Sequence, residues 1–130
     1  MIKIKNLRVK TIIGVKPHER RRKQEVVINL QLEFDGEKAA RSDHLADAVD
    51  YESIGRRIVA DAAKRKFHLL ERLCRHVLEL AMENPRVLRA TVEIDKPGAL
   101  QSADSVSITA VLDRDSVKAG FIAPDAQADS

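Results

Sequence analysis

The sequence predicts a single α+β domain in which a four-stranded antiparallel sheet carries two main helices on one face. Apolar and polar residues alternate without a break over residues 25–34, which is typical of a half-buried strand. Two segments in the middle of the chain have apolar residues at helical spacing, and alternating segments lie on both sides of them. The predicted order is therefore strand, strand, helix, helix, strand, strand.

The strands are predicted from period-two patterns. Residues 2–13 alternate loosely, whereas residues 25–34 alternate cleanly and place five apolar side chains on one face (Val26, Ile28, Leu30, Leu32 and Phe34). Residues 88–96 and 105–113 are the third and fourth predicted strands, with Pro97-Gly98 as a turn signal between them. The first two strands are joined as a long hairpin.

The helices are predicted from apolar residues at helical spacing. The first begins at Tyr51 or Ser53, ends near Lys66, and has an apolar stripe of Ile54, Ile58, Val59 and Ala62. The second stops at Asn84-Pro85 and carries Leu69, Leu70, Leu73, Val77, Leu80 and Ala81. A helical turn is expected over residues 37–42. Periodicity ends after Arg114, so we predict a domain over residues 1–114 and a flexible tail over residues 115–130.

The composition excludes several classes of protein. The chain has 130 residues with three Phe, one Tyr and no Trp, so the core of this one domain is predicted to be aliphatic. No apolar run has the roughly 18 residues of a transmembrane helix, and no signal-peptide pattern follows Met1. The lone Cys74 excludes an internal disulfide and a cysteine-based zinc site, and we expect it to be a small buried hydrophobe. A reducing, cytoplasmic setting fits, with no membrane partner.

Lys96 occupies an unusual position in the third predicted strand. Alternation of side chains places it on the same face as four apolar residues (Leu88, Ala90, Val92 and Ile94). A lysine on the packed face of a strand must find a partner or lose its proton, which suits an acid or base. The alternative is that Lys96 lies past the sheet and extends its amine to water.

Basic residues are clustered in the loop between the first two strands (Lys16, Arg20, Arg21, Arg22 and Lys23), although the net charge of the chain is only +3. The cluster is either a solvated loop or an electropositive rim that binds a phosphorylated small molecule, since arginine matches phosphate oxygens. Nucleic acid is a weaker option, because few aromatic residues could stack on bases and no predicted helix carries the charge. We therefore expect no nucleic-acid partner.

The predicted sheet has a polar face and two open edges. The polar face carries Asn29, Gln31, Glu33, Arg89, Thr91 and Ser107, so it meets water or another subunit. Both outer strands expose unpaired backbone groups, and closing several copies into a barrel would pair them. The sequence therefore predicts a symmetric homo-oligomer with sites between subunits.

Glu71 falls in the first turn of the second predicted helix. The helix dipole and the free backbone N–H groups of that turn keep a carboxylate ionised there. An ionised carboxylate can accept two parallel hydrogen bonds from the amino-pyrimidine edge of a pterin or guanine. The alternative is ordinary compensation of the helix dipole, with no ligand.

Four dispersed motifs together point to one family. They are Gly14-Val15 followed by Glu19 and Gln24, Val49-Asp50-Tyr51, Phe67-His68-Leu69-Leu70-Glu71, and Ile94-Asp95-Lys96-Pro97-Gly98-Ala99. In this order and spacing the chain resembles the dihydroneopterin aldolase family from about Ile2 to Arg114. Three further stretches resemble its dihydroneopterin triphosphate 2′-epimerase branch most closely (residues 4–8, 26–29 and 103–107), whereas Pro97-Gly98 is more similar to the aldolase branch.

The resemblance implies a tunnelling fold, in which four subunits close their sheets into a barrel and two such rings stack into an octamer. It also implies chemistry on a 7,8-dihydropterin without cofactor or metal, and we see no metal-ligand spacing around His18 or His68. By motif position, Glu71 and the neighbouring Leu70 would bind the pterin, and Tyr51 of an adjacent subunit would assist proton transfer.

The remaining motif residues would act at the side-chain end of the pterin. Lys96 would be the acid and base, Glu19 would hold the trihydroxypropyl chain or move its proton, and Gln24 would shape that end of the site. A triphosphate on the chain would extend toward the basic loop, where it would meet Arg20, Arg21, Arg22 or Lys23. Of these, Arg20 and Arg21 are the candidate ligands.

The resemblance implies one of two reactions. Removal of a hydroxyl proton allows retro-aldol cleavage of the side chain, with the ring imine as electron acceptor. Re-addition of the fragment gives 2′-epimerisation, and its release gives aldolase activity. Two other classes stay open: a pterin- or purine-binding module without chemistry, and an anion-binding scaffold that uses the basic loop.

Overall fold

The computed structural model describes residues 1–115 and 119–120, and in them one sheet is covered on one face by two helices. The strands are β1 (Ile2–Ile13), β2 (Gln24–Glu33), β3 (Lys66–Phe67), β4 (Arg89–Pro97), β5 (Ser105–Asp113) and β6 (Ala119–Gly120). The helices are α1 (Pro17–Arg20), α2 (Glu37–Ser42), α3 (Tyr51–Lys64) and α4 (Leu70–Met82), with a 3-10 turn at Leu45–Asp47. The predicted α+β class, with four main strands and two main helices, is confirmed.

The strands lie in the order β3-β1-β2-β4-β5-β6, and the four long ones pair antiparallel. The two short strands were not predicted: β3 runs parallel to the end of β1, and β6 pairs with the end of β5. Two-residue strands carry too little periodicity to be read from sequence. Apart from Asp115 and β6, the predicted flexible tail lies outside the described residues, so it stays a prediction.

The loose alternation of the first strand has a local cause. The register of β1 against β2 shifts between Ile4 and Leu7, which is a β-bulge. Asn6 has a φ of 55° there, and its backbone N–H donates a hydrogen bond of 2.9 Å to the side-chain oxygen of Asn29. Asparagine tolerates this left-handed conformation better than most residues. The bulge changes which side chains of β1 face the helices.

The core lies between the sheet and helices α3 and α4. The alternating residues of β2 and β4 are fully buried there (Val26, Ile28, Leu30, Leu32, Ala90, Val92 and Ile94). From the helices, Ile58, Leu73, Val77 and Leu78 complete the packing. Cys74 is also fully buried, as predicted, and burial, aided by the charge of Glu71, raises the pKa of its thiol to about 12.

Some apolar residues predicted to face the core are exposed instead, including Leu88, which precedes β4 and is 44% exposed. Val59 is 37% exposed on α3, because it lies on the flank of the helix near the start of β1. Leu69 is 54% exposed, because it precedes α4 as its N-terminal cap residue and faces a cavity. Both are therefore available for contacts outside the core.

The end of the sheet that contains the candidate site is formed by four segments. The end of β1, the loop with α1, the start of α4 and the end of β4 meet there. The opposite face of the sheet carries the predicted polar surface, which includes Asn29, Gln31 and Thr91. Within the described residues, no helix is long and apolar enough to span a membrane.

Candidate active site

An ion pair between Lys96 and Glu19 is the centre of the candidate site. The amine of Lys96 lies 2.7 Å from Glu19 Oε2, and the two side chains are only 12% and 13% exposed. Period-two alternation correctly predicted that Lys96 lies on the apolar face of its strand, where it follows buried Ile94 on β4. The alternative, an amine extended to water, is wrong, because Glu19 reaches Lys96 from the basic loop.

The loop after β1 is built to hold the Glu19 carboxylate. Gly14 has a φ of 128°, a conformation that other residues rarely adopt, and the chain turns there from β1 toward α1. The Glu19 carboxyl group lies so close to Gly14 that a β-carbon at this position would overlap it. The backbone N–H of Lys16 donates to Glu19 Oε1 at 3.3 Å. Gly14 therefore provides both the turn and the space for the carboxylate.

Gln24 supports the same carboxylate from the first residue of β2. Its side-chain amide donates to the carbonyl oxygen of Ile13 at 3.0 Å and to Glu19 Oε2 at 3.4 Å. This placement agrees with the predicted role of Gln24 in shaping that end of the site. Glu19 therefore accepts hydrogen bonds from Lys96, Gln24 and the Lys16 backbone.

These donors determine the charge of Glu19. The pKa of Glu19 is lowered from 4.5 to about 2, chiefly by the hydrogen bond from Lys96, while burial acts in the opposite direction and the hydrogen bonds from Lys16 and Gln24 lower it further. The stability that this shift provides is complete above pH 4.5 and is lost as the pH falls toward 2. Glu19 is therefore ionised throughout the neutral range.

We expect a carboxyl NMR titration to give Glu19 a midpoint well below that of an ordinary glutamate. Glu19→Gln lacks this carboxylate. Its free energy of unfolding, measured in urea, should therefore fall less between pH 4.5 and 2 than that of the unchanged protein. Glu79 is a suitable control, since it is exposed on α4 and forms no ion pair within the described residues. A midpoint of Glu19 close to that of Glu79 would contradict the ion pair.

A cavity of about 200 Å³ brings Lys96 and Glu19 together with Glu71. Glu71 is in the first turn of α4, as predicted, and its side chain is exposed. Leu70 and Ile13 are apolar walls of the cavity. The site thus combines an exposed carboxylate, apolar walls and a buried ammonium–carboxylate pair. Such a cavity can orient a flat heterocycle by its polar edge and move protons at its other end.

Arg20 was a predicted substrate ligand, but the structure gives its side chain different contacts. Its guanidinium donates to the carbonyl oxygen of Phe67 at 2.7 Å and to that of Gly14 at 3.1 Å. The N–H of Gly14 also donates to Phe67, at 3.1 Å. Arg20 therefore fastens the loop that carries Glu19 to the segment that leads into α4 and Glu71. We describe it as a positioning residue.

Replacing Arg20 by Gln should loosen this connection. Two hydrogen bonds from a charged donor are lost, so the free energy of unfolding should fall by roughly 1–3 kcal/mol. Turnover should fall equally for every substrate, because both carboxylates of the site lose their fixed separation. Arg22→Gln is the matched control in thermal unfolding, since Arg22 is exposed. Equal thermal stability of Arg20→Gln and Arg22→Gln would contradict this role.

Tyr51 is the predicted catalytic residue that one chain does not bring to the cavity. It begins α3, is 59% exposed, and lies in a separate apolar groove with Ile4, Leu7 and Val59. Its role in the site of another subunit stays a prediction. Arg21 also lies outside the Lys96 cavity and lines a neighbouring one.

Several cavity residues were not predicted as site residues. His68 and Val15 line the Lys96 cavity beside Leu69, and Ala99 lines it from the turn after β4. Their only signal in the sequence is that each belongs to one of the quoted motifs, because neither charge nor periodicity marks them. Among the described residues, no three His, Cys, Asp or Glu side chains form a group that could hold a metal ion.

Comparison with known proteins agrees with this geometry. A family model described as dihydroneopterin aldolase matches residues 2–111. A dihydroneopterin triphosphate 2′-epimerase of Escherichia coli K12 is 42% identical over 109 residues, which are 84% of this chain and 91% of the relative. A dihydroneopterin aldolase of the same organism is 32% identical over 105 residues, with 81% and 86% covered. The higher identity to the epimerase confirms the predicted branch.

The fold agrees as well. The crystal structure of Escherichia coli dihydroneopterin aldolase in complex with neopterin superposes with a TM-score of 0.81 at 31% identity, covering 85% of this chain and 96% of that one. One explanation accounts for the four motifs, the Lys96–Glu19 pair, the matched family model and the shared fold. The chain belongs to the dihydroneopterin aldolase family.

Proposed function

We propose that this protein is a dihydroneopterin triphosphate 2′-epimerase, which inverts the 2′ carbon of a 7,8-dihydropterin side chain without a cofactor. The observation that carries the proposal is the buried Lys96–Glu19 pair, 2.7 Å apart, in one cavity with Glu71. Proton transfer needs groups within hydrogen-bond reach of each other and of the substrate. The similarity to epimerase relatives supports the same reaction.

Glu71 supplies the anchor for the heterocycle. An exposed carboxylate in the first turn of α4 is stabilised by the helix dipole and has free acceptor sites. It accepts one hydrogen bond from the pterin amino group and one from the adjacent ring N–H. Leu70 and Ile13 provide the apolar surface for the rings. The side chain of the pterin then extends toward Lys96 and Glu19.

The Lys96–Glu19 pair performs the proton transfers. The Lys96 amine and the Glu19 carboxylate lie within hydrogen-bond distance of each other, so protons can pass between this pair and a ligand that contacts it. The pair takes the 2′-hydroxyl proton, and the 2′ oxygen forms the carbonyl group of the fragment as the C1′–C2′ bond breaks. The electron pair of that bond moves through C1′ into the C6–N5 imine, and the Lys96–Glu19 pair delivers a proton to N5. The products of this step are an enamine of the dihydropterin and an aldehyde fragment. The ring itself is the electron acceptor.

The fate of the aldehyde decides the reaction. If the fragment rotates and C1′ attacks its opposite face, the C1′–C2′ bond forms again and the alkoxide takes back its proton, which inverts the 2′ carbon. If the fragment leaves and C1′ is protonated, the products are 6-hydroxymethyldihydropterin and the aldehyde. Epimerisation therefore requires a site that retains the fragment.

A second copy of the chain completes the site in this proposal. The cavity of about 200 Å³ is small for a substituted pterin, and its rim includes the exposed Val15 and Leu69. Within the described residues, β3 pairs only with Ile12 and Ile13 of β1, and β6 pairs only with Val111 and Leu112 of β5. The rest of each outer strand edge is therefore unpaired, which favours pairing between copies.

In that arrangement Tyr51 of an adjacent copy lies over the ligand and assists proton transfer. Its 59% exposure in a groove with Ile4 and Leu7 leaves its hydroxyl free for such a role. Four copies would form a ring, and two rings an octamer. A cytoplasmic location remains a prediction from the single, unpaired cysteine.

The experiment that tests the proposal is a product analysis. Purified protein is incubated with dihydroneopterin and, separately, with its triphosphate, and chromatography separates the 2′ epimer from 6-hydroxymethyldihydropterin. We expect the epimer to be the main product from the triphosphate. No conversion of either compound, together with measurable pterin binding, would instead favour a binding module.

Aldolase activity is the second candidate. Pro97-Gly98 after Lys96 resembles the aldolase branch, and an aldolase relative is 32% identical over 105 residues. Gly98 and Ala99 line the wall beside Glu19, so this turn contacts the side-chain end of the ligand. Release of 6-hydroxymethyldihydropterin and an aldehyde as the main products would favour this reading.

A further inference from the structure

We propose that the basic loop forms a triphosphate-binding subsite next to the catalytic pair, with Arg21, Arg22 and Lys16 as its cationic ligands. A cavity of about 510 Å³ lies between this loop and the turn after β4. The loop contributes Lys16, His18, Arg21 and Arg22, and the turn contributes Gly98 and Ala99. The inference rests on the proposed function, because it concerns the phosphorylated end of that substrate.

The subsite is continuous with the Lys96 cavity. Both cavities share Glu19 and Ala99 in their walls, so the carboxylate of Glu19 stands at the boundary between them. Along this path the order is Glu71, then the Lys96–Glu19 pair, then the cationic side chains. A dihydropterin triphosphate has the same order: polar ring edge, hydroxylated chain, phosphates. The match places the phosphates beyond Glu19.

The charge of this cavity is positive and uncompensated. The only carboxylate in its wall is Glu19, which is already neutralised by Lys96. In the part of the chain that the structure describes, Lys16, Arg21 and Arg22 form no ion pair. Unpaired cations around a concave surface attract an anion with several charges, and arginine can bind phosphate oxygens with two parallel N–H groups.

The four successive basic residues of the loop have different placements. Arg20 donates hydrogen bonds to the carbonyl oxygens of Gly14 and Phe67, so its guanidinium stabilises the folded loop. Arg21 and Arg22 line the cavity, and Lys23 does not. Lys23 is exposed in the same loop and carries the same charge. It is therefore a matched control for any effect that depends on charge alone.

The test compares two substrates. The ratio of kcat/KM for dihydroneopterin triphosphate to kcat/KM for dihydroneopterin is measured for the full chain and for Arg21→Gln, Arg22→Gln and the double variant. We expect the ratio to fall about fivefold in each single variant and tenfold or more in the double variant. Lys23→Gln should keep the ratio. The effect should weaken as salt is added, since these side chains are exposed.

Two outcomes overturn the subsite. One is an unchanged ratio in the double variant, and the other is an equal fall in Lys23→Gln. Calorimetric titration with inorganic tripolyphosphate separates the subsite from the proposed function. If the protein converts neither pterin but binds tripolyphosphate, and the double variant loses that binding, the proposed function fails and the subsite stands. If it epimerises dihydroneopterin with no preference for the triphosphate, the proposed function stands and the subsite fails.

Discussion

Replacing Lys96 by Met should reduce turnover by a factor of roughly 10² to 10⁴, which is the usual contribution of a positioned acid or base. The thioether fills the space of the lysine chain but cannot transfer a proton. Pterin binding, measured by fluorescence titration, should persist, because the proposed anchor Glu71 lies on α4, a separate element of the cavity wall. Binding that is lost together with turnover would place Lys96 in recognition instead of catalysis.

The ion pair complicates this variant, because Lys96→Met leaves the carboxylate of Glu19 without its cation. Glu19 is only 13% exposed, and an unpaired charge in such a place lowers the free energy of unfolding. The double variant Lys96→Met with Glu19→Gln removes both charges and should recover most of that stability. Turnover should stay as low as in Lys96→Met. Recovery of turnover together with stability would show that Lys96 had acted only through folding.

Replacing Gly14 by Ala should have the second largest effect. The added methyl group would overlap the Glu19 carboxyl group, and alanine strongly disfavours a φ of 128°. Strain of this kind costs roughly 1–3 kcal/mol, and the displaced carboxylate no longer meets Lys96. We expect kcat to fall by about a hundredfold, with the Glu19 pKa returning toward its ordinary value.

Gly98→Ala is the matched control for the backbone part of this effect. Gly98 has a φ of 73°, so it too has a conformation that favours glycine, but a β-carbon there would meet no atom within 4 Å. Its free energy of unfolding should fall by less than that of Gly14→Ala. A carboxyl NMR titration should find Glu19 still paired in Gly98→Ala. Equal displacement of Glu19 in both variants would contradict a direct contact with Gly14.

The candidate site could be predicted in part, because some of its chemistry is local. Alternation along a strand predicted that Lys96 lies on the apolar face, and the position of Glu71 in the first turn followed from where α4 begins. Local patterns say nothing about which groups meet across the sheet. Lys96 and Glu19 are 77 residues apart, and only the pairing of β1, β2 and β4 brings their segments together.

The basic loop shows the same division between local and tertiary information. Composition alone indicated a cluster of positive charge, but it gave Arg20 and Arg21 the same role. In the structure, Arg20 donates to two carbonyl oxygens near the ends of β1 and β3, whereas Arg21 lines an open cavity. Which arginine is structural depends on where backbone acceptors lie in the folded chain, and no periodicity encodes their positions.

Exposure of apolar residues was also decided by packing. Val59 and Leu69 have helical spacing to buried neighbours, yet both are exposed, because the sheet covers only part of each helix. For Tyr51, no local pattern predicted whether it faces the Lys96 cavity of its own chain. Only the family resemblance implied that it acts in an adjacent subunit. The structure places it in an apolar groove beside β1.

The α+β class, the four long strands, the two main helices and the family could be predicted from the amino-acid sequence, because they follow from periodicity and from short motifs. Three features are visible only in the folded chain: the pairing of Glu19 with Lys96, the space that Gly14 leaves for Glu19, and the hydrogen bonds by which Arg20 holds the loop in place. Ion pairs, close approaches and buried acceptors join distant segments, so their geometry exists only once the sheet has formed.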